Sequence, residues 1–84
     1  MEEQKLWLTI EEGMGTDGEF FANAFISRTE QEAEEMATSL IADMADTMDV
    51  YDDAFEPSAT RNIGTNDWWY RVRVVYGGDN PYKA

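Results

Sequence analysis

Residues 29–44 read TEQEAEEMATSLIADM, and this stretch decides the fold. Thr29-x-x-Glu32 is a capping box: the Thr hydroxyl accepts from an orphan N–H of the first helical turn, and the Glu reaches back. Glu30, Glu32, Glu34 and Glu35 set negative charge at the positive end of the helix dipole. Behind them Ala33, Met36, Ala37, Leu40, Ile41 and Met44 recur in steps of three and four, and Met48, Tyr51 and Phe55 extend the same stripe. The pattern predicts one long helix from Thr29 to Phe55, weakened near Asp49-Val50 and ended by Pro57.

Outward from the helix the period changes to two. Leu6, Leu8 and Ile10 alternate with Lys5, Trp7, Thr9 and Glu11, which predicts a half-buried strand. Asp17-Gly18 is a hairpin-turn dipeptide. A second strand over 19–27 carries Phe20, Ala22, Ala24 and Ile26 on one face and Phe21, Asn23 and Phe25 on the other. The small Ala22 and Ala24 suit a closely packed helix, so that face, with Leu6, Leu8 and Ile10, is expected inward. After a polar loop over 56–66, residues 67–76 form an aromatic and β-branched strand, with Trp68, Tyr70, Val72 and Val74 inward. Gly77-Gly78 is expected to break it, leaving 77–84 as a flexible tail. The expectation is a single α+β domain over residues 1–84, in the order β-β-α-β. It has a three-stranded, mainly antiparallel sheet with one long helix packed on one face. The order is 2-1-3 if the third strand lies beside the first, and a right-handed crossover if it lies beside the second.

Composition narrows the function. The 84 residues contain no cysteine and no histidine. That removes disulfides, thiolate metal sites, the cysteine nucleophile and the commonest general base. The many carboxylates fall on a predicted exposed helix, where they make poor general acids. Gly13-x-Gly15-x-x-Gly18 has the letters of a dinucleotide fingerprint, but it lies in a hairpin and not before a helix. Asp43, Asp46, Asp49 and Asp52 lack the alternating ligands and central Gly of a calcium loop. The expectation is a chain that is not an enzyme, with no cofactor and no metal. Met1-Glu2-Glu3-Gln4 is acidic, and the run Leu6–Ile10 is too short for a signal h-region or a membrane span.

Eighteen acids against six bases give a net charge of −12. Such a chain repels nucleic acid and anionic membranes and attracts basic proteins. Ten of the acids fall between residues 29 and 60, a stretch with no Lys or Arg. Acids three or four apart on a helix lie about 5–6 Å apart, within reach of the phosphate spacing of a nucleic acid strand. The candidate partner-binding residues are Glu35, Asp43, Asp46, Asp49, Asp52, Asp53 and Glu56; the bland alternative is a solvated face. A second candidate patch, a dimer seam or further contact, is the sheet face turned from the helix: Trp7, Phe25, Trp69, Arg71 and Arg73, joined by Phe21. There the bland alternative is that the Arg stems cover the rings and pair with Glu11 or Glu19.

Two resemblances follow. The unpaired acids from Glu30 to Glu56 and the aromatic strand Trp68 to Tyr76 give a chain that resembles small phage-encoded inhibitors of host defence, of the anti-CRISPR and anti-restriction type. That resemblance implies a basic nucleic-acid-binding protein as partner and a host cytoplasm as location. The hairpin followed by Thr29-Glu30-Gln31-Glu32-Ala33 is similar, over residues 6–41, to HicB-type antitoxin domains, although the Pro-Asp-x-Pro-Gly turn of that family is missing. The competing class is a structural or assembly component that uses the aromatic sheet face.

Overall fold

The computed structural model describes residues 5–50 and 55–79. Strand β1 (Lys5–Met14) turns through Gly15–Glu19 into β2 (Phe20–Ser27). The turn closes by Gly18 N–H donating to the Gly15 carbonyl at 2.9 Å, with Gly18 at φ 82°. Helix α1 (Glu30–Thr47) follows. A short strand β3 (Asn62–Gly64) then pairs with the last strand, β4 (Trp69–Asp79). The sheet is antiparallel throughout, in the order β2-β1-β4-β3. The fold is thus α+β as expected, and the long C-terminal strand lies beside β1. The expected three strands become four, because the 56–66 loop contains β3.

Three local corrections follow from identifiable causes. Helix α1 stops at Thr47, with no basic residue in its last turn, well short of Phe55. Asp49 adopts φ 56°, its N–H donates to the Asp46 carbonyl, and Val50 N–H donates to the Ala45 carbonyl. This is a Schellman cap with Asp in the left-handed position that Gly usually takes. Gly77-Gly78 does not break the last strand. The register skips Gly77 between Leu6 and Trp7, and Gly78 has φ 97°, so the glycines form a bulge. The strand therefore reaches Asp79, into the segment expected as a tail, and residues 80–84 lie outside the described residues. At the other end, Asp67 and Trp68 belong to the β3–β4 turn: Thr65 N–H donates to the Trp68 carbonyl at 2.8 Å.

The helix N-terminus forms as expected. Thr29 accepts from Glu32 N–H at 3.1 Å, and the Glu32 carboxylate reaches back to Arg28 N–H at 3.3 Å. The inner stripe of α1 is Ala33, Ala37, Ile41 and Ala45, all fully buried. Three of the four are alanines, so the helix sits close to the sheet. Tyr70 and Val72 complete the buried cluster, with Leu40, Met44, Phe55, Ile63, Trp68 and Val74 around it.

Close packing of an alanine stripe also decides which sheet face is inner. Thr9 is fully buried, and its hydroxyl donates to the Ala33 carbonyl at 2.9 Å. The register then puts Trp7, Glu11 and Gly13 inward, opposite Ser27, Asn23 and Phe21, with Phe25 opposite Thr9. This inverts the expectation for β1 and β2: Trp7, Phe21 and Phe25 share the helix side, while Leu6, Leu8, Ile10, Phe20, Ala22, Ala24 and Ile26 take the open side. For β4 the expectation holds. Tyr70, Val72 and Val74 are inner, and Trp69, Arg71 and Arg73 are outer.

Candidate functional site

The first candidate is the solvent face of α1. Opposite the buried stripe, exposed residues recur at Glu32, Glu35, Ser39, Asp43 and Asp46. Their steps of three and four make one row down the helix, about 21 Å long at 1.5 Å rise per residue. Sequence reading missed Glu32 as a member of the row, because its capping role had absorbed it. Asp49 lies past the cap, out of helical register, and Glu56 is exposed in the turn that follows. Asp52 and Asp53 lie outside the described residues. Among the described residues no cation pairs with Glu35, Asp43 or Asp46. Arg61 binds Glu34, at the flank of the helix, and also donates to the Thr60 carbonyl at 3.1 Å. Glu35 accepts from Gln31 at 3.1 Å. Beside this flank runs an open cleft lined in part by Glu34, Glu35, Ser58 and Arg61.

The second candidate is the open sheet face. Strands β1, β2 and β4 bring together Leu6, Leu8, Ile10, Met14, Phe20, Ala22, Ala24, Ile26, Trp69 and Val75 by register. Phe20 is 72% exposed and Ile26 67%. At one end Phe20 and Trp69 meet edge to face at 5.8 Å across Met14. In the centre Glu12 binds both Arg71, at 2.6 Å, and Arg73, at 3.2 Å, and the Arg71 guanidinium stands 5.7 Å from the Trp69 ring centroid. The arginines do pair with a β1 carboxylate, but it is Glu12 and neither Glu11 nor Glu19. Of the expected patch Trp7, Phe25, Trp69, Arg71 and Arg73, only the last three lie together. Trp7 packs at 5.4 Å on Tyr76 on the helix side. The residues that replace Trp7 and Phe25 on the open face are aliphatic ones the sequence reading had placed in the core.

On the helix side of the sheet lies a polar group that could pass for chemistry. Glu11 accepts from the Tyr70 phenol at 2.6 Å and from the Asn23 amide at 2.9 Å. Burial, reinforced by the Glu11 carboxylate, pushes the Tyr70 phenol well above its ordinary value. A phenol so held is a donor at neutral pH and no base. The group ties the sheet together: three strands contribute one side chain each to it. Among the described residues no group of three carboxylates converges on a metal position, and no helix is long and apolar enough to cross a membrane. No family model, curated protein or solved structure matches this chain.

Proposed function

We propose that this chain is an acidic protein-binding inhibitor that occupies the basic nucleic-acid-binding surface of a partner, and that it performs no chemistry of its own. The observation that carries this reading is the row Glu32, Glu35, Asp43 and Asp46 on the exposed face of α1, with Arg61 engaged at Glu34 on the flank. A helix built only for solubility gains from mixed charges at i,i+4 spacing, and this row forgoes them. Asp43 and Asp46 also sit near the negative end of the helix dipole, which costs stability. A rigid row of unpaired carboxylates presents to a basic groove the charge that phosphates would. Such binding weakens steeply with salt.

The test is capture of partners from a lysate by the tagged chain, compared with the triple variant Glu35→Gln, Asp43→Asn, Asp46→Asn. The reading expects a nucleic-acid-binding protein that salt or competing duplex DNA releases and that the variant fails to hold. Equal capture by the variant, or capture that neither salt nor DNA disturbs, sinks it. A second reading, an assembly or antitoxin-like interaction protein, is favoured by the exposed Phe20, Ile26 and Trp69 side of the sheet. It expects Trp69→Ala or charge reversal at Arg71 and Arg73 to abolish the interaction while the acidic changes stay silent.

A further inference from the structure

We propose that the open sheet face is the seam of a homodimer, in which two copies stack sheet on sheet with their helices outward. Three observations converge on a second copy as the occupant.

The first is where the charge lies. On this face Glu12 is opposed by Arg71 and Arg73, which both bind it, leaving a local charge of +1 on a chain of −12. Stacked sheets lie about 10 Å apart. Each helix stands one layer further out, so the two acidic rows are separated by well more than the Debye length of about 8 Å at physiological salt. Contact through the helix side would instead press the two acidic rows together.

The second is area. Strands β1 and β4 are 10 and 11 residues long, which is about 33 Å at 3.3 Å per residue. Three long strands about 4.8 Å apart add roughly 15 Å of width, giving about 500 Å² in plan per copy. Two copies reach about 1,000 Å² before side-chain relief is counted, the size of a specific, reversible interface and smaller than an obligate one.

The third is the patterning. Leu6, Leu8 and Ile10 give β1 its most apolar side chains, and they point away from the single helix. A face that served only solvent would carry the polar half of the alternation. Here the polar half, Thr9, Glu11 and Asn23, is on the helix side of the sheet with hydrogen bonds made, Thr9 buried against Ala33 and Asn23 exposed. The apolar half is left for a second layer, and a two-fold axis supplies one from the same surface.

Sedimentation equilibrium from about 1 μM to about 1 mM covers the range in which reversible dimers form. The expected result is passage from 9.6 kDa to twice that mass. The two-fold doubles the effect of any single change, so Ile26→Asp weakens association at least about a hundredfold. Its circular dichroism stays that of the wild type, because Ile26 is 67% exposed in the monomer. Asp46→Asn, on the helix, leaves association unchanged. Added salt strengthens the dimer or leaves it unaltered, the opposite of its effect on the acidic row, so this proposal and the inhibitor reading fail separately. A wild-type chain that stays monomeric throughout overturns the proposal. So does a dimer that salt dissolves, or one that survives Ile26→Asp with exchange protection gained only at β2 amides, which would mean edge pairing of β2 strands.

Discussion

Gly13→Ala tests the packing of the sheet more sharply than any core truncation, because its sign is in question. Gly13 is buried in β1 between Phe21 on β2 and Tyr70 on β4, whose rings stack across it at 6.0 Å. Its φ is not in the left-handed region. In a strand with free space, Ala would therefore stabilise by about 0.5–1 kcal/mol through the loss of glycine's unfolded-state freedom. Here an added Cβ would stand 2.7 Å from the Trp69 carbonyl oxygen and 2.8 Å from the edge of the Phe21 ring. The ring can swing aside, at the loss of a stacked pair worth about 0.5–1.5 kcal/mol. The Trp69 carbonyl is β4 backbone, and moving it is overpacking of the kind that costs about 1–3 kcal/mol. The net expectation is destabilisation by about 2 kcal/mol, which at a urea slope near 1 kcal/mol/M lowers the midpoint by about 2 M. Urea unfolding followed by tryptophan fluorescence measures it. Adding Phe21→Ala relieves the ring contact alone, so the double-mutant cycle should return about 1 kcal/mol of coupling and leave the backbone part in place. A neutral or stabilised Gly13→Ala would refute the close approach of β1, β2 and β4 at this point.

Ile41 is fully buried at the centre of the helix stripe, and Ile41→Ala should cost about 3 kcal/mol in thermal or urea unfolding; a loss under about 1 kcal/mol would mean the site collapses freely. Asp49→Gly removes a non-glycine left-handed residue and a negative charge from the end of α1, so the unfolding free energy should rise by about 0.5–1 kcal/mol, read from the shift of the urea midpoint; a fall would show that Asp49 makes a stabilising contact. The Tyr70 phenol is raised above its ordinary 10.0 by burial first and then by Glu11. Its contribution is thus fully present below pH 10 and is lost as pH climbs through the folded-state value. Absorbance titration near 295 nm should show one tyrosine ionising late, with alkaline unfolding, and Tyr70→Phe should flatten the decline of stability above pH 10. A Tyr70 that ionises with the other tyrosines would remove the buried contact to Glu11.

The elements were legible where one local signal sufficed. Thr29 and Glu32 marked the helix start, Asp17-Gly18 the hairpin, and the run Trp69 to Tyr76 a strand. The helix end was legible only as a weak point near Asp49-Val50, because the apolar stripe continues through Met48, Tyr51 and Phe55 while Asp49 turns the backbone; Asp in the left-handed position carries no signal like glycine's. The sheet faces were misread for a different reason. Counting apolar residues along β1 favours Leu6, Leu8 and Ile10 as the core, yet an alanine-faced helix accepts a hydrogen bond from Thr9, and the neighbouring strands engage Glu11 through Tyr70 and Asn23. A polar set whose partners come from other strands is invisible strand by strand. The acidic row was legible by spacing up to Asp46, and the composition of the open face was legible only as an expectation of the wrong residues.

The position of β1 has a kinetic consequence. Its neighbours are β2, a hairpin away, and β4, the last strand, whose Tyr70 bonds Glu11 across a separation of 59 residues. Local pairing and helix growth are fast, whereas closing so long a loop must precede any reward from β1–β4 contacts. During synthesis the hairpin and α1 can form while β1 still shows a bare edge, and Tyr70 and Val72, the sheet's share of the buried core, have not yet left the ribosome. The sheet therefore closes from its last strand, and folding should read as a single late event set by the docking of the C-terminal strand.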